Sequence, residues 1–156
     1  MEPRGIRNNN PLNIRLSKDR WQGQRPPSTS PEGEKAFCVF ESMAYGWRAA
    51  FVILCRTYYN KHKLRTIRAI ITRWAPPKEN NTEAYIRRVT DRIGIGADTV
   101  LGSPQDQPAQ WMMIAMTMAI AGCGTTQLDS LFVTPLPGRR LLSHRRQRGV
   151  GWEGSY

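Results

Sequence analysis

The chain has no apolar run long enough to span a bilayer. The longest, Trp111 to Gly122, is about a dozen residues where a transmembrane helix needs about twenty. Its N-terminus, MEPRGIRNNNPLNIR, lacks the apolar stretch of a secretory signal. Cysteine is scarce. Cys38, Cys55 and Cys123 are odd in number, lie far apart and sit in apolar contexts such as AFCVF, which reads as buried free thiols. With no CxxC spacing and with His62 and His144 isolated, no metal site and no Cys/His nucleophile is expected. The chain also lacks GxxxxGK[ST], GxGxxG, GxSxG and HExxH, so nucleotide-phosphate cradles, serine hydrolases and zincins drop out, and no cofactor is called for. The RNP pattern and zinc-finger spacing of common nucleic-acid modules are missing too.

Acids are few as well. Twelve Asp and Glu face 23 Lys and Arg over 156 residues, a formal net charge of +11, so the fitting partners are polyanions: nucleic acid, an anionic surface or an acidic wall polymer. Most of that charge precedes the tail. Through residue 120 there are 18 cations and 10 acids, and the rest carries 5 and 2. Length and a 40% hydrophobic content fit one domain with a real core.

Hydrophobic spacing makes that domain mainly α. Residues 1–35 are polar and irregular, and Ala36 to Phe40 is a short extended, β-prone run. Ala44, Trp47, Phe51, Leu54 and Tyr58 then recur at steps of three and four, predicting a helix from Met43 to about Asn60 with Ser42 as N-cap. Leu64, Ile67, Ile70, Ile71 and Trp74 mark a second helix, with Arg65, Arg68 and Arg73 elsewhere on its surface and Pro76-Pro77 as its stop. A third starts at Asn80-Asn81-Thr82-Glu83, carries Ile86, Val89 and Ile93, and ends at Gly94. A fourth starts at Pro108 and runs to Gly122; being apolar nearly all round, it is expected to be the most buried. These boundaries give a domain over 1–122 and a basic irregular tail over 123–156.

Candidate chemistry is sparse. A general acid needs a carboxyl in dry surroundings. Glu83, Asp98 and Asp106 sit where helix-start carboxylates belong, and Asp91 lies on a solvated face. Glu41 follows the apolar run FCVF and precedes the aromatics Tyr45 and Trp47, while Glu79 lies in a loop between prolines and asparagines. These two are the candidate catalytic residues, each with a bland alternative as a solvated side chain. Asn9, Asn10, Asn13, Arg15 and Trp21, with Tyr45 and Tyr85, have the composition of a glycan or base platform, although an Asn-rich turn can equally bond its own backbone.

The order of several segments is more specific. Arg4-Gly5-Ile6-Arg7-Asn8-Asn9-Asn10-Pro11-Leu12-Asn13-Ile14-Arg15, Trp21-Gln22-Gly23, Phe40-Glu41-Ser42-Met43-Ala44-Tyr45-Gly46-Trp47-Arg48-Ala49 and the stretch from Thr66-Ile67 through Trp74-Ala75-Pro76-Pro77-Lys78-Glu79-Asn80-Asn81-Thr82-Glu83 to Ala84-Tyr85-Ile86 together resemble a family of phage and prophage virion proteins, described as structural or lysozyme-like and transglycosylase-type. The resemblance implies a small lysozyme-like helical domain, located in the virion or in the bacterial cytoplasm before assembly. It implies peptidoglycan glycan strands as partner, other virion proteins beside them, and cleavage by a glutamic acid, with one carboxyl sufficing where the sugar's own hydroxyl attacks. Two departures mark this chain: Leu12 stands where relatives commonly have Gly, and Ala119-Ile120-Ala121-Gly122 stands where they often end in Glu-Asn-Gly. Three readings remain open at this point: a peptidoglycan-binding and glycan-cleaving virion protein, a non-catalytic virion structural or wall-docking protein, and a basic nucleic-acid-binding protein.

Overall fold

The computed structural model describes residues 3–26, 36–78 and 80–123. The fold is mainly α: α1 (Arg4–Arg7), α2 (Met43–Phe51), a π-helical segment (Val52–Lys61) that continues α2, α3 (Ile67–Trp74), α4 (Thr82–Ile93) and α5 (Pro108–Cys123). α4 packs on both α3 and α5, and α1 lies against α5. The tail expected over 123–156 lies outside the described residues, apart from the helical backbone of Cys123 that closes α5.

Local chemistry accounts for most helix ends. Thr66 caps α3 by accepting from the Ala69 N–H, and Asn81 caps α4 by accepting from the Ala84 N–H. The α4 cap is therefore Asn81, within the start expected at Asn80-Asn81-Thr82-Glu83. Gly94 ends α4 in the left-handed region at φ 76°, where a residue without Cβ fits without strain. Ser42 precedes α2 as expected, yet its side chain makes no cap bond.

The long helix from Met43 differs from its expected regular α form. From Val52 to Lys61 it winds with i→i+5 bonds, as when the His62 N–H reaches the Thr57 carbonyl. The wider turn brings residues five apart onto one side, so Val52 with Thr57 and Ile53 with Tyr58 are all buried, alongside Leu54. Ala44, expected on the buried stripe, is exposed. α5 also departs from its expected burial on all sides. Trp111, Ile114, Ala115, Met118 and Ala119 are buried at three- and four-residue steps, whereas Met112 and Met113 are about half exposed, at 51% and 47%.

The N-terminal segment is irregular but built into the core. The extended run 36–41 is its central piece, bridged antiparallel to Arg15 through Phe37 and to Gln24 through Phe40. On one side the Cys38 N–H donates to the Ile14 carbonyl and the Phe40 N–H to the Asn8 carbonyl; on the other the Glu41 N–H donates to the Gly23 carbonyl. Asn10, fully buried, ties this together. Its Nδ2 donates to the carbonyls of Ile14 (3.0 Å) and Cys38 (2.9 Å), and its Oδ1 accepts from the Ile14 N–H (2.8 Å). Gly46 of α2 sits so close to the Asn9 carbonyl that a Cβ there would overlap it. In the turn that follows, the left-handed position is Asn13 (φ 51°), a residue type that tolerates it, and Leu12 before it is buried.

Asn10→Ala removes three buried hydrogen bonds and strands the Cys38 carbonyl and the Ile14 N–H, while the Ile14 carbonyl keeps the Cys38 N–H, so a loss of about 2–4 kcal/mol in urea unfolding is expected. A loss below about 1 kcal/mol would contradict the bonding described.

Candidate functional site

A groove of about 410 Å³ opens between the N-terminal turn and the helices. One wall is Pro11, Leu12, Asn13 and Arg15; the other is the end of α3 (Arg73, Trp74) with Ala75, Pro76 and Asn80; Tyr58, Tyr85, Met118 and Gly122 complete it. Pro76-Pro77 stops α3 as the sequence implies, and this stop delivers Trp74 to the groove edge.

Three predicted binding residues meet here. Arg15 is exposed, with its guanidinium 5.1 Å from the centre of the Phe37 ring. Asn13 is half-buried, and its side-chain oxygen is buried without a hydrogen bond from any described residue. Tyr85 contributes its ring while its hydroxyl donates to the Met118 carbonyl at 2.8 Å. Trp74 and Tyr58 form an edge-to-face pair with centroids 6.4 Å apart, and the Arg73 guanidinium lies 5.7 Å from the centre of the Tyr58 ring.

The other predicted residues lie outside the groove lining. Asn10 is spent on the backbone, and Asn9 donates to the Phe40 carbonyl at 3.1 Å. Trp21 is buried in the core, and the Tyr45 ring covers Gly23. Glu41 is exposed, with its backbone N–H on the Gly23 carbonyl. Glu79 lies outside the described residues, and no carboxylate occurs among the described lining residues. Arg73, Trp74 and Asn80 are lining residues that the sequence does not mark as a site, although all three lie within the recognisable stretch from Thr66 to Ile86.

The carboxylates expected to be structural fall into two groups. Glu83 and Asp98 converge on Arg68, which reaches Glu83 Oε1 at 2.8 Å and Asp98 Oδ1 at 2.9 Å; its guanidinium is held further in the charged form, first by the Asp98 hydrogen bond. Asp106 instead uses its backbone N–H, which donates to the Ser103 hydroxyl. Cys38 and Cys55 are free, and burial pushes both thiols up to about 11, so neither is a nucleophile at neutral pH. A second, more apolar cavity of about 570 Å³, between the π segment and the start of α5, contains none of the predicted site residues.

No protein-family model matches the chain. It is, however, 44% identical over 95 residues to Protein P5 of Pseudoalteromonas phage PM2. The match takes in 59% of this chain and spans 56% of that protein's length. The chain is thus similar to a phage protein, and the likeness does not extend to a lysozyme-like family.

Near the groove, His62 Nε2 lies 3.2 Å from the Arg73 guanidinium. Partial burial first, then the charges of Arg73 and Lys61, hold its pKa below the usual 6.5. A depressed value means that the folded state resists a proton the unfolded chain accepts. This contribution to stability is therefore complete above pH 6.5 and is lost as pH falls through the folded value. An NMR titration of the imidazole should give a midpoint below 6.5, and Arg73→Gln should move it upward; an unmoved midpoint would refute the Arg73 contribution.

Proposed function

We propose that this chain is a structural component of a phage particle that docks onto peptidoglycan glycan strands through the groove between the N-terminal turn and α3. The observation that carries the reading is the meeting of Asn13, Arg15 and Tyr85 with Arg73 and Trp74 in one cavity. Aromatic rings supply stacking faces for sugar rings, Asn13 offers an unused acceptor for an amide or hydroxyl donor, and the two guanidinium groups suit the carboxylates of the wall polymer. The likeness to a phage protein supports the particle assignment, with other virion proteins as neighbours. In this reading residues 1–122 form the binding unit and 123–156 a basic appendage.

A second reading is cleavage, with Glu41 and then Glu79 as the candidate acids; Glu41 is exposed and outside the groove lining, and Glu79 lies outside the described residues.

Purified sacculi should pellet the protein, and Arg15→Gln should weaken that binding about tenfold, or about 1.4 kcal/mol. Absence of binding, or binding indifferent to Arg15, would overturn the docking assignment. Muropeptide release from the same sacculi, followed by mass spectrometry with wild type, Glu79→Gln and Glu41→Gln, decides between docking alone and cleavage.

A further inference from the structure

Between Glu41 and Glu79 the chain runs 37 residues without a single Asp or Glu while carrying eight Lys and Arg. The fold compensates one of these eight conspicuously: Arg68, by Glu83 and Asp98. It does not do so for the group where the π segment meets α3. Lys61, Lys63 and Arg65 are exposed and alternate with His62 and Leu64, which are turned partly inward, Leu64 packing against the core. Arg73 joins them from α3 through its contact with His62. None of these four cations forms an ion pair with a described acid.

The backbone holds this edge in place. The His62 N–H donates to the Thr57 carbonyl, the Leu64 N–H to the Tyr58 carbonyl, and the Arg65 carbonyl accepts from the Leu101 N–H. Lys63 takes φ 57°, the left-handed turn that carries the chain from the π segment towards α3. The Arg65 guanidinium lies 4.8 Å from the centre of the Tyr59 ring, which itself stands edge-on to Trp111. Uncompensated positive charge on an ordered edge attracts polyanions. An anionic bilayer would also call for an apolar face to insert, whereas here Leu64, the apolar residue among the cations, packs against the core. Recognition by charge alone is how proteins hold the phosphates of duplex nucleic acid without reading its sequence.

We infer that the edge formed by Lys61, Lys63, Arg65 and Arg73 is a docking surface for the phosphate backbone of duplex nucleic acid, separate from the glycan groove except for Arg73, which borders both. The surface supplies up to four phosphate contacts, giving a log–log salt slope near −3.6.

The test is fluorescence anisotropy of a labelled duplex of arbitrary sequence with the full chain, between 50 and 200 mM salt. Lys61→Gln, Lys63→Gln and Arg65→Gln combined should make the slope shallower by about 2.7 and weaken binding about 500-fold at 0.1 M salt. The matched triple Arg87→Gln, Arg88→Gln and Arg92→Gln, which removes the same charge from exposed positions on α4, should change affinity less than fivefold. Lys61→Arg with Lys63→Arg, which keeps both charges, should bind as wild type does. Equal weakening by the two Gln triples would assign binding to net charge and overturn the surface. So would binding to phosphatidylglycerol vesicles without binding to the duplex, or no binding to the duplex at all.

Discussion

The fold depends on one side chain that bonds like backbone. The described residues 3–26 and 36–40 contain too little regular structure to satisfy their own N–H and C=O groups, and buried groups left unpaired are costly. Asn10 supplies two donors and an acceptor at the point where the turn at 10–14 meets the extended run at Cys38. It thereby does for this corner what a ladder of strands does in a sheet. With the corner closed, Leu12, Ile14 and Phe40 are placed in the core and the Asn9 carbonyl lies against Gly46. A polar residue at the centre of an apolar core is thus the precondition for packing the N-terminal segment onto the helices.

Charge is distributed by a different rule. Where acids and cations meet on the surface, as at Arg68, they tie α3 to α4 and to the loop carrying Asp98. Elsewhere cations are left facing solvent, and at His62 the charges of Arg73 and Lys61 add to partial burial in holding the imidazole pKa down. The excess of Lys and Arg is therefore organised in space. Part of it lines the groove through Arg15 and Arg73, and part forms the edge beside it.

How much of this was legible in the sequence follows from how local each cause is. Helix stops and caps such as Pro76, Asn81 and Gly94 act within a turn, so α3, α4 and α5 could be placed to within a few residues. The π winding could not, since a stripe at 47, 51, 54 and 58 satisfies the α period and the burial of Val52 and Ile53 is a tertiary outcome. The Asn-rich turn divided. Asn13 faces the groove and Asn10 faces the backbone, and composition treats them alike because the difference lies in Ile14 and Cys38, the latter 28 residues away. Sequence separation likewise hid the meeting of Arg15 with Arg73 and Trp74 in one groove, which packing alone brings about.

The two walls of the groove come from distant parts of the chain, Pro11 to Arg15 on one side and Arg73 to Asn80 on the other, and Met118 and Gly122 of α5 help to complete it. A nascent chain leaving the ribosome thus carries the first wall long before the second exists. Until Met118 and Gly122 have been synthesised and α5 has packed on α4, the lining of the groove is incomplete. The groove is therefore a property of the finished domain, set by connectivity alone.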